Sequence, residues 1–411
     1  PHDQSATQEL AAVYVEAGEF QKALDFLAAM PRDKRTPAMA YYESKAYSGL
    51  KKPRQAADKL RQALLANAIG RLYEDFSRWY LNRHPDESAV LARRAFGQRG
   101  AALPSVLLGV TQVGWFGVGV AMFALPVAQM FPALPRIPLL LVAGACMSLT
   151  AYYGIKSLTI LSIVAVPAIA LLGGGSMAKA FHDFGGVAAW FAREPAESMS
   201  LAAAIGICVG SFISGGTLTP DFTRYSRTPA ISVSSTVIAF LLGNSLMFLF
   251  GAVAAAFYQT NDISFALKAQ GMIGVAVIVL GLNIWTTNDN ALYAASLGFA
   301  TLAHRSKREF VLLNGFLGTV FALVAYNHFV PWLNLLNLML PSIGAILILD
   351  HFVVRRRAPD AEPEPGVRWA AVVAWAAGFC AAKFLPGIPP LNTVLAASAA
   401  YLLLARRPRP A

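Results

Sequence analysis

Beyond residue 100 the chain runs through ten apolar stretches, at about 103–130, 135–153, 157–175, 200–218, 233–257, 272–300, 310–328, 331–353, 368–385 and 390–404. Few folds tolerate such a pattern. Inside a bilayer every backbone N–H and C=O needs a partner within the protein, so a spanning segment is either a helix or a strand of a closed barrel. Most of these stretches are near the ~20 residues a spanning helix needs and exceed the roughly 10 of a barrel strand. With 56% hydrophobic and 14% charged residues, the composition excludes an ordinary soluble globule. The predicted fold class is all-α: a polytopic membrane helix bundle of ten spans, preceded by a soluble α-helical repeat domain.

Charge is spread unevenly. Of 57 charged side chains, 28 fall within the first 100 positions, which separates a soluble N-terminal part from the membrane part. If the first stretch enters from the cytoplasm, sixteen lysines and arginines of the connections and ends lie on the inner side and five on the outer. The positive-inside rule then predicts a multi-pass protein of the cell inner (plasma) membrane with both termini cytoplasmic. The same bias accounts for the net charge of +11. The lipid bilayer is thus the expected partner, and nucleic acid, for which no motif is present, is not. Cys146, Cys208 and Cys380 stand alone in apolar runs, so neither a disulfide framework nor a metal site is expected. Pro1 is not an initiator methionine, and a start ahead of it is expected.

The first 90 residues repeat weakly at a period of 33: Tyr14, Tyr47 and Tyr80 align, as do Ala23, Ala56 and Ala89, with Asp25 matching Asp58 and Leu27 matching Leu60. Each copy reads as two short amphipathic helices around a turn. This resembles the tetratricopeptide repeat, whose period is about 34, and stacked copies of that kind bury a face that no single copy could. The predicted division is a cytoplasmic repeat domain at 1–90, with a possible protein partner, and a transmembrane domain at 91–411. The alternative is a hairpin array whose polar face is merely solvated.

Three polar clusters interrupt the apolar stretches. In the first, Gln112 and Trp115 are three apart and share a helix face, an amide and a ring suited to a flat, polar heteroaromatic solute. In the second, Ser211, Phe212 and Ser214 lie inside the glycine-rich run 206–219. Gly206, Gly210, Gly215 and Gly216 in one span predict a helix broken at mid-membrane, of the kind that holds solute and ion in transporters. The alternative there is a packing seam of small residues. The third, residues 281–290, places Asn283, Thr286 and Thr287 on one face. Two hydroxyls beside a carbonyl are hard oxygen ligands, the type a small alkali cation takes. Asp289 is set outside the site, as an Asp that pairs with a polar neighbour or lies near the cytoplasmic mouth. No nucleophile–base pair, phosphate loop or metal-ligand spacing is present, so no enzyme and no cofactor other than a coupling ion is expected.

These clusters resemble the cytosine-permease branch of the nucleobase–cation symporter family. The similarity is carried by the run from Gln112 to Ala124, by Gly210 to Ser214 and by Gly281 to Tyr293, and it extends from about Leu91 to about residue 405. The resemblance implies a LeuT-type fold and sodium- or proton-coupled symport of cytosine or a related pyrimidine. It implies that Trp115 and Phe212 stack on the pyrimidine while Gln112, Ser211, Ser214 and Asn283 bind its edge. It also implies that Asn283, Thr286 and Thr287 hold sodium. The ten stretches correspond to the family's third to twelfth helices, and the repeat-like segment stands where its first two belong. Impaired transport is therefore expected. The rival reading is a membrane-anchored helical-repeat scaffold whose permease core, fused or mis-assembled, does not transport.

Overall fold

The computed structural model describes residues 4–29, 37–66, 87–194, 199–303 apart from 225, 227 and 261, 305–355 and 366–405. It divides into two compact units, Pro1–Arg83 and His84–Ala411.

The first unit holds α1 (Gln4–Glu16), α2 (Phe20–Ala28), α3 (Pro37–Gly49) and α4 (Pro53–Ala66). The helix starts repeat at the interval of 33 seen in the sequence. So do the turns: Gly18 and Lys51 both have positive φ, at 78° and 56°. Glu19 and Lys52 donate their backbone N–H to Tyr14 O and Tyr47 O, each at 2.9 Å. This pattern, a left-handed residue with a bond reaching back over the last turn, ends a helix and reverses the chain. Ala23, Leu27, Ala56 and Leu60 are each no more than 2% exposed, so the repeated small and large positions are the buried ones. Tyr80 lies outside the described residues.

In the second unit, α5 (Glu87–Phe96) precedes a long α6 (Ala102–Met130), then α7 (Arg136–Tyr153), α8 (Ile155–Asp183) and the short α9 (Gly186–Phe191). Next come α10 (Leu201–Thr223), α11 (Pro229–Tyr258), α12 (Ile263–Ala269), α13 (Ile273–Ala303), α14 (Lys307–Val320) and α15 (Ala322–Asn327). The chain ends with α16 (Phe329–Val354), α17 (Trp369–Phe384) and α18 (Pro389–Leu404). Helices thus lie at all ten predicted positions. Among the described residues six are long and apolar enough to cross a membrane, and α17 and α18 are shorter apolar helices. Of the remaining two positions, α13 carries the polar block 281–290, and the helix begun at Lys307 pauses at Phe321 before α15.

Two apolar cores hold this unit together. One gathers side chains of α5, α6, α10, α13, α16, α17 and α18 around Leu340 and Tyr401. The other joins α6, α7, α13, α14 and α15 around Phe116 and Met147. α6 and α13 belong to both and form the spine. Close approach is secured by glycine where it matters: a Cβ on Gly117 would lie 2.6 Å from Gly318 O, so α6 and α14 can touch backbone to backbone. The outward faces are apolar too, with Leu171 76%, Phe316 66% and Leu403 85% exposed. Apolar surface on that scale belongs against lipid.

The helix expected to break at 206–219 does not. α10 is continuous from Leu201 to Thr223. Its hydroxyls satisfy themselves locally: Ser211 donates to Ile207 O, Thr217 to Ile213 O and Thr219 to Gly215 O, at 2.8–3.0 Å. Gly206 and Gly210 serve the packing seam instead: a Cβ on Gly210 would lie 2.9 Å from Leu333 O and 3.0 Å from Asn337 Oδ1 on α16. The irregular turns lie elsewhere, as wide π-turns at Ile238–Gly243 within α11 and Asp350–Val354 at the end of α16.

Candidate functional site

The polar clusters sit on α6, α10 and α13. Gln112 is 7% exposed, and Trp115 is half-buried one turn further along α6. Trp115 packs edge-on to Phe329 at 5.6 Å and tilted against Trp332 at 5.1 Å. Both partners are on α16, and the sequence reading had not singled them out. An aromatic and amide run from Phe329 to Asn337 was the signal that could have flagged them, as it did at Gln112 and Trp115.

On α10 the ring of Phe212 meets Phe240 at 6.5 Å and Phe248 at 5.6 Å, both edge-on and both from α11. Trp115 and Phe212 therefore belong to different aromatic groups, and the structure does not bring the two rings together. A continuous α10 explains this. Residues two apart lie about 200° around a helix axis, so Ser214, 2% exposed, and Phe212 leave the helix in nearly opposite directions. Ser211 spends its proton on Ile207 O.

On α13 the structure gathers three oxygens. Thr286 Oγ1 lies 3.0 Å and Thr287 Oγ1 2.9 Å from Asn283 O. Thr286 Oγ1 also donates to Leu282 O at 2.9 Å. Each hydroxyl keeps lone pairs for a further partner, and Thr287 is exposed. These are the bonds that helix hydroxyls make to carbonyls three and four residues back, and the set is neutral and oxygen-only. Among the described residues, no side-chain hydrogen bond is made by Gln112, Ser214 or Asn283. Two amides and a hydroxyl thus remain for a ligand. Asp289 lies apart, buried against α7, where it accepts a hydrogen bond from Thr150 Oγ1 at 2.6 Å.

Comparison with known proteins decides the family. The family described as permeases for cytosine/purines, uracil, thiamine and allantoin matches residues 87–403. The chain belongs to this permease family. It is a transport protein of the membrane, not an enzyme. The cytosine permease of Escherichia coli (strain K12) is 46% identical over 343 residues, which is 83% of this chain and 82% of that protein. The hydantoin permease of Microbacterium maritypicum is 24% identical over 372 residues, 78% of this chain and 72% of that one. Among solved structures, the nucleobase–cation symport 1 family transporter Mhp1, closed with bromovinylhydantoin bound, superposes with a TM-score of 0.66 at 20% identity. That likeness covers 80% of this chain and 82% of Mhp1 and establishes the fold. The family match begins at the first residue of α5, so the permease unit takes in all of this helix.

Proposed function

We propose that the chain is a nucleobase permease for cytosine or a closely related pyrimidine, with sodium as the coupling ion. Two features support this reading: an amide without a side-chain hydrogen bond beside a ring on α6, Gln112 with Trp115, and a second such amide beside two hydroxyls on α13, Asn283 with Thr286 and Thr287. The amides have donors and acceptors to match the N–H and C=O edge of a pyrimidine, and buried polar groups left unpaired by a wrong solute penalise it strongly. Trp115 offers a ring face for stacking and Ser214 a hydroxyl; Phe212, packed on Phe240 and Phe248, and Ser211, bonded to Ile207 O, would join them only if α10 turned toward α6. Asn283 O with the two threonine hydroxyls would hold the cation. The 46% identity to a cytosine permease supports this substrate class over the hydantoin of the more distant relative.

The same reading puts the protein in the cell inner membrane, ten times spanning, with both ends cytoplasmic. The repeating hairpins at residues 4–29 and 37–66 would belong to a tetratricopeptide-like domain for a protein partner. They form a groove of about 320 Å³ lined by Leu24, Tyr47, Lys52 and Gln55.

The test is displacement of labelled cytosine from membranes containing the full chain. Cytosine should compete best, uracil less well, and hydantoins and purines weakly. Stronger displacement by a purine or a hydantoin would overturn the substrate assignment. Absence of any cytosine binding would favour the scaffold reading.

A further inference from the structure

The polar block of α13 has a second face. Asn288 and Asp289 are both fully buried, at 0% exposure, and neither reaches the oxygen cluster on the first face. Asn288 Nδ2 donates to Phe116 O on α6 at 3.1 Å and contacts Met147 Sδ on α7 at 3.1 Å. Asp289 Oδ1 accepts from Thr150 Oγ1 on α7, which in turn accepts from Trp285 Nε1 at 2.9 Å. The polar atoms of one helix thus grip two others at mid-span. Their outer oxygens, Asn288 Oδ1 and Asp289 Oδ2, have no hydrogen-bond partner.

An apolar pair would fill this interior at lower cost, since a buried amide or carboxylate that is only half satisfied opposes folding. What the polar pair supplies is register. Phe116 is the neighbour of Trp115 and lies one turn beyond Gln112, so the Asn288 bond fixes α13 lengthwise against the segment that carries both. The fit is tight from the other side as well, because a methyl group on Gly119 would overlap Asn288 Oδ1.

We propose that Asn288 and Asp289 are positioning residues that lock α13 onto α6 and α7 and so fix the lengthwise position of the segment carrying Asn283, Thr286 and Thr287 relative to the one carrying Gln112 and Trp115. The assignment rests on the solute site described above. A binding site held loosely by about 1 Å loses much of its function even when its contact residues are intact.

The test uses the full chain, purified, with labelled cytosine as the probe. Asn288→Ala should weaken cytosine binding about tenfold, the scale of one well-placed hydrogen bond. Gly119→Ala should do the same by pushing the Asn288 amide off Phe116 O. The double variant should bind no worse than Asn288→Ala alone, because the truncated side chain no longer meets the added methyl. Native affinity in Asn288→Ala, or losses that simply multiply in the double variant, would overturn the proposal. A second readout needs no solute. Spin labels at exposed positions 106 and 303, in a chain with its three cysteines replaced, should give one narrow distance in the native protein and a broadened one in Asn288→Ala. An unchanged distribution would overturn the lock whether or not cytosine binds. Absence of cytosine binding by the native chain would instead sink the solute-site reading. Should Asn288→Ala fail to fold, Thr150→Val removes the grip on Asp289 and is expected to broaden the same distance.

Discussion

Replacing Asp350 should destabilise the membrane unit more than any other single charge removal. Asp350, Arg355, Arg368 and Tyr401 are each no more than 6% exposed. Asp350 Oδ1 accepts from Arg368 Nη1 at 2.6 Å and from Tyr401 Oη at 2.7 Å, and Oδ2 accepts from Arg355 Nε at 3.1 Å. Arg355 Nη2 continues to Arg94 O at 2.8 Å, and Arg368 donates its backbone N–H to Phe96 O at 2.7 Å. One carboxylate therefore neutralises two buried guanidinium groups and ties α5 to α16, α17 and α18. Asp350→Asn preserves shape but removes the charge to which both guanidinium groups bond, and breaking a buried pair this way costs about 3–5 kcal/mol. Tyr401→Phe keeps the charges paired but removes two hydrogen bonds to charged groups, one donated to Asp350 Oδ1 and one accepted from Arg368 Nη1 at 2.9 Å, each about 1.5–3 kcal/mol. The exposed pair of Arg305 with Glu309, 3.5 Å apart, is worth about 0–1 kcal/mol. Thermal unfolding of the purified protein, followed by a thiol-reactive dye, should place Asp350→Asn and Tyr401→Phe both well below Glu309→Gln. A melting point for Asp350→Asn equal to that of Glu309→Gln would refute the reasoning.

Other outcomes can be checked as directly. Phe212→Ala should weaken cytosine binding by about 1–3 kcal/mol, the range for base–aromatic stacking; unchanged affinity, measured by equilibrium binding, would remove Phe212 from the site and leave it as packing for Phe240 and Phe248. Thr286→Val keeps shape but removes an oxygen near Asn283 O, so the sodium concentration needed for half-maximal cytosine binding should rise, and an unaltered sodium titration would move the cation elsewhere. Lys51→Gly relieves a left-handed side-chain residue at the turn where Gly18 stands in the preceding hairpin; thermal unfolding should show the N-terminal unit stabilised by up to about 1 kcal/mol. A cysteine at position 193 should react with an impermeant reagent outside intact cells and one at 306 should not; the reverse pattern would invert the assigned topology.

Much of the bundle was legible because spanning length and apolarity are properties of the segment alone. The stretch 103–130 became a helix at Ala102–Met130, and 135–153 one at Arg136–Tyr153. The hairpins were legible through Ala23 and Ala56, since a small residue at a helix crossing repeats with the crossing itself. The course of α10 was not. Four glycines and four hydroxyls suggested an unwound segment, yet each of Ser211, Thr217 and Thr219 can return its proton to the carbonyl four residues back. Gly206 and Gly210 face Asn337 on α16, a partner more than 120 residues away along the chain that local pattern cannot reveal. The two faces of α13 were half legible. The i, i+3, i+4 spacing put Asn283 with Thr286 and Thr287, whereas the role of Asn288 depends on Phe116 O, a backbone atom that carries no signature in the sequence.

The most direct measurement is calorimetric titration of cytosine into the purified full chain, in sodium and again with choline in its place. The account predicts saturable binding in sodium, much weaker binding in choline, a weakened sodium effect in Thr286→Val, and weakened cytosine binding in Asn283→Ala. Equal affinity in the two media, or native binding in Asn283→Ala, would contradict a solute and cation site built on α6 and α13.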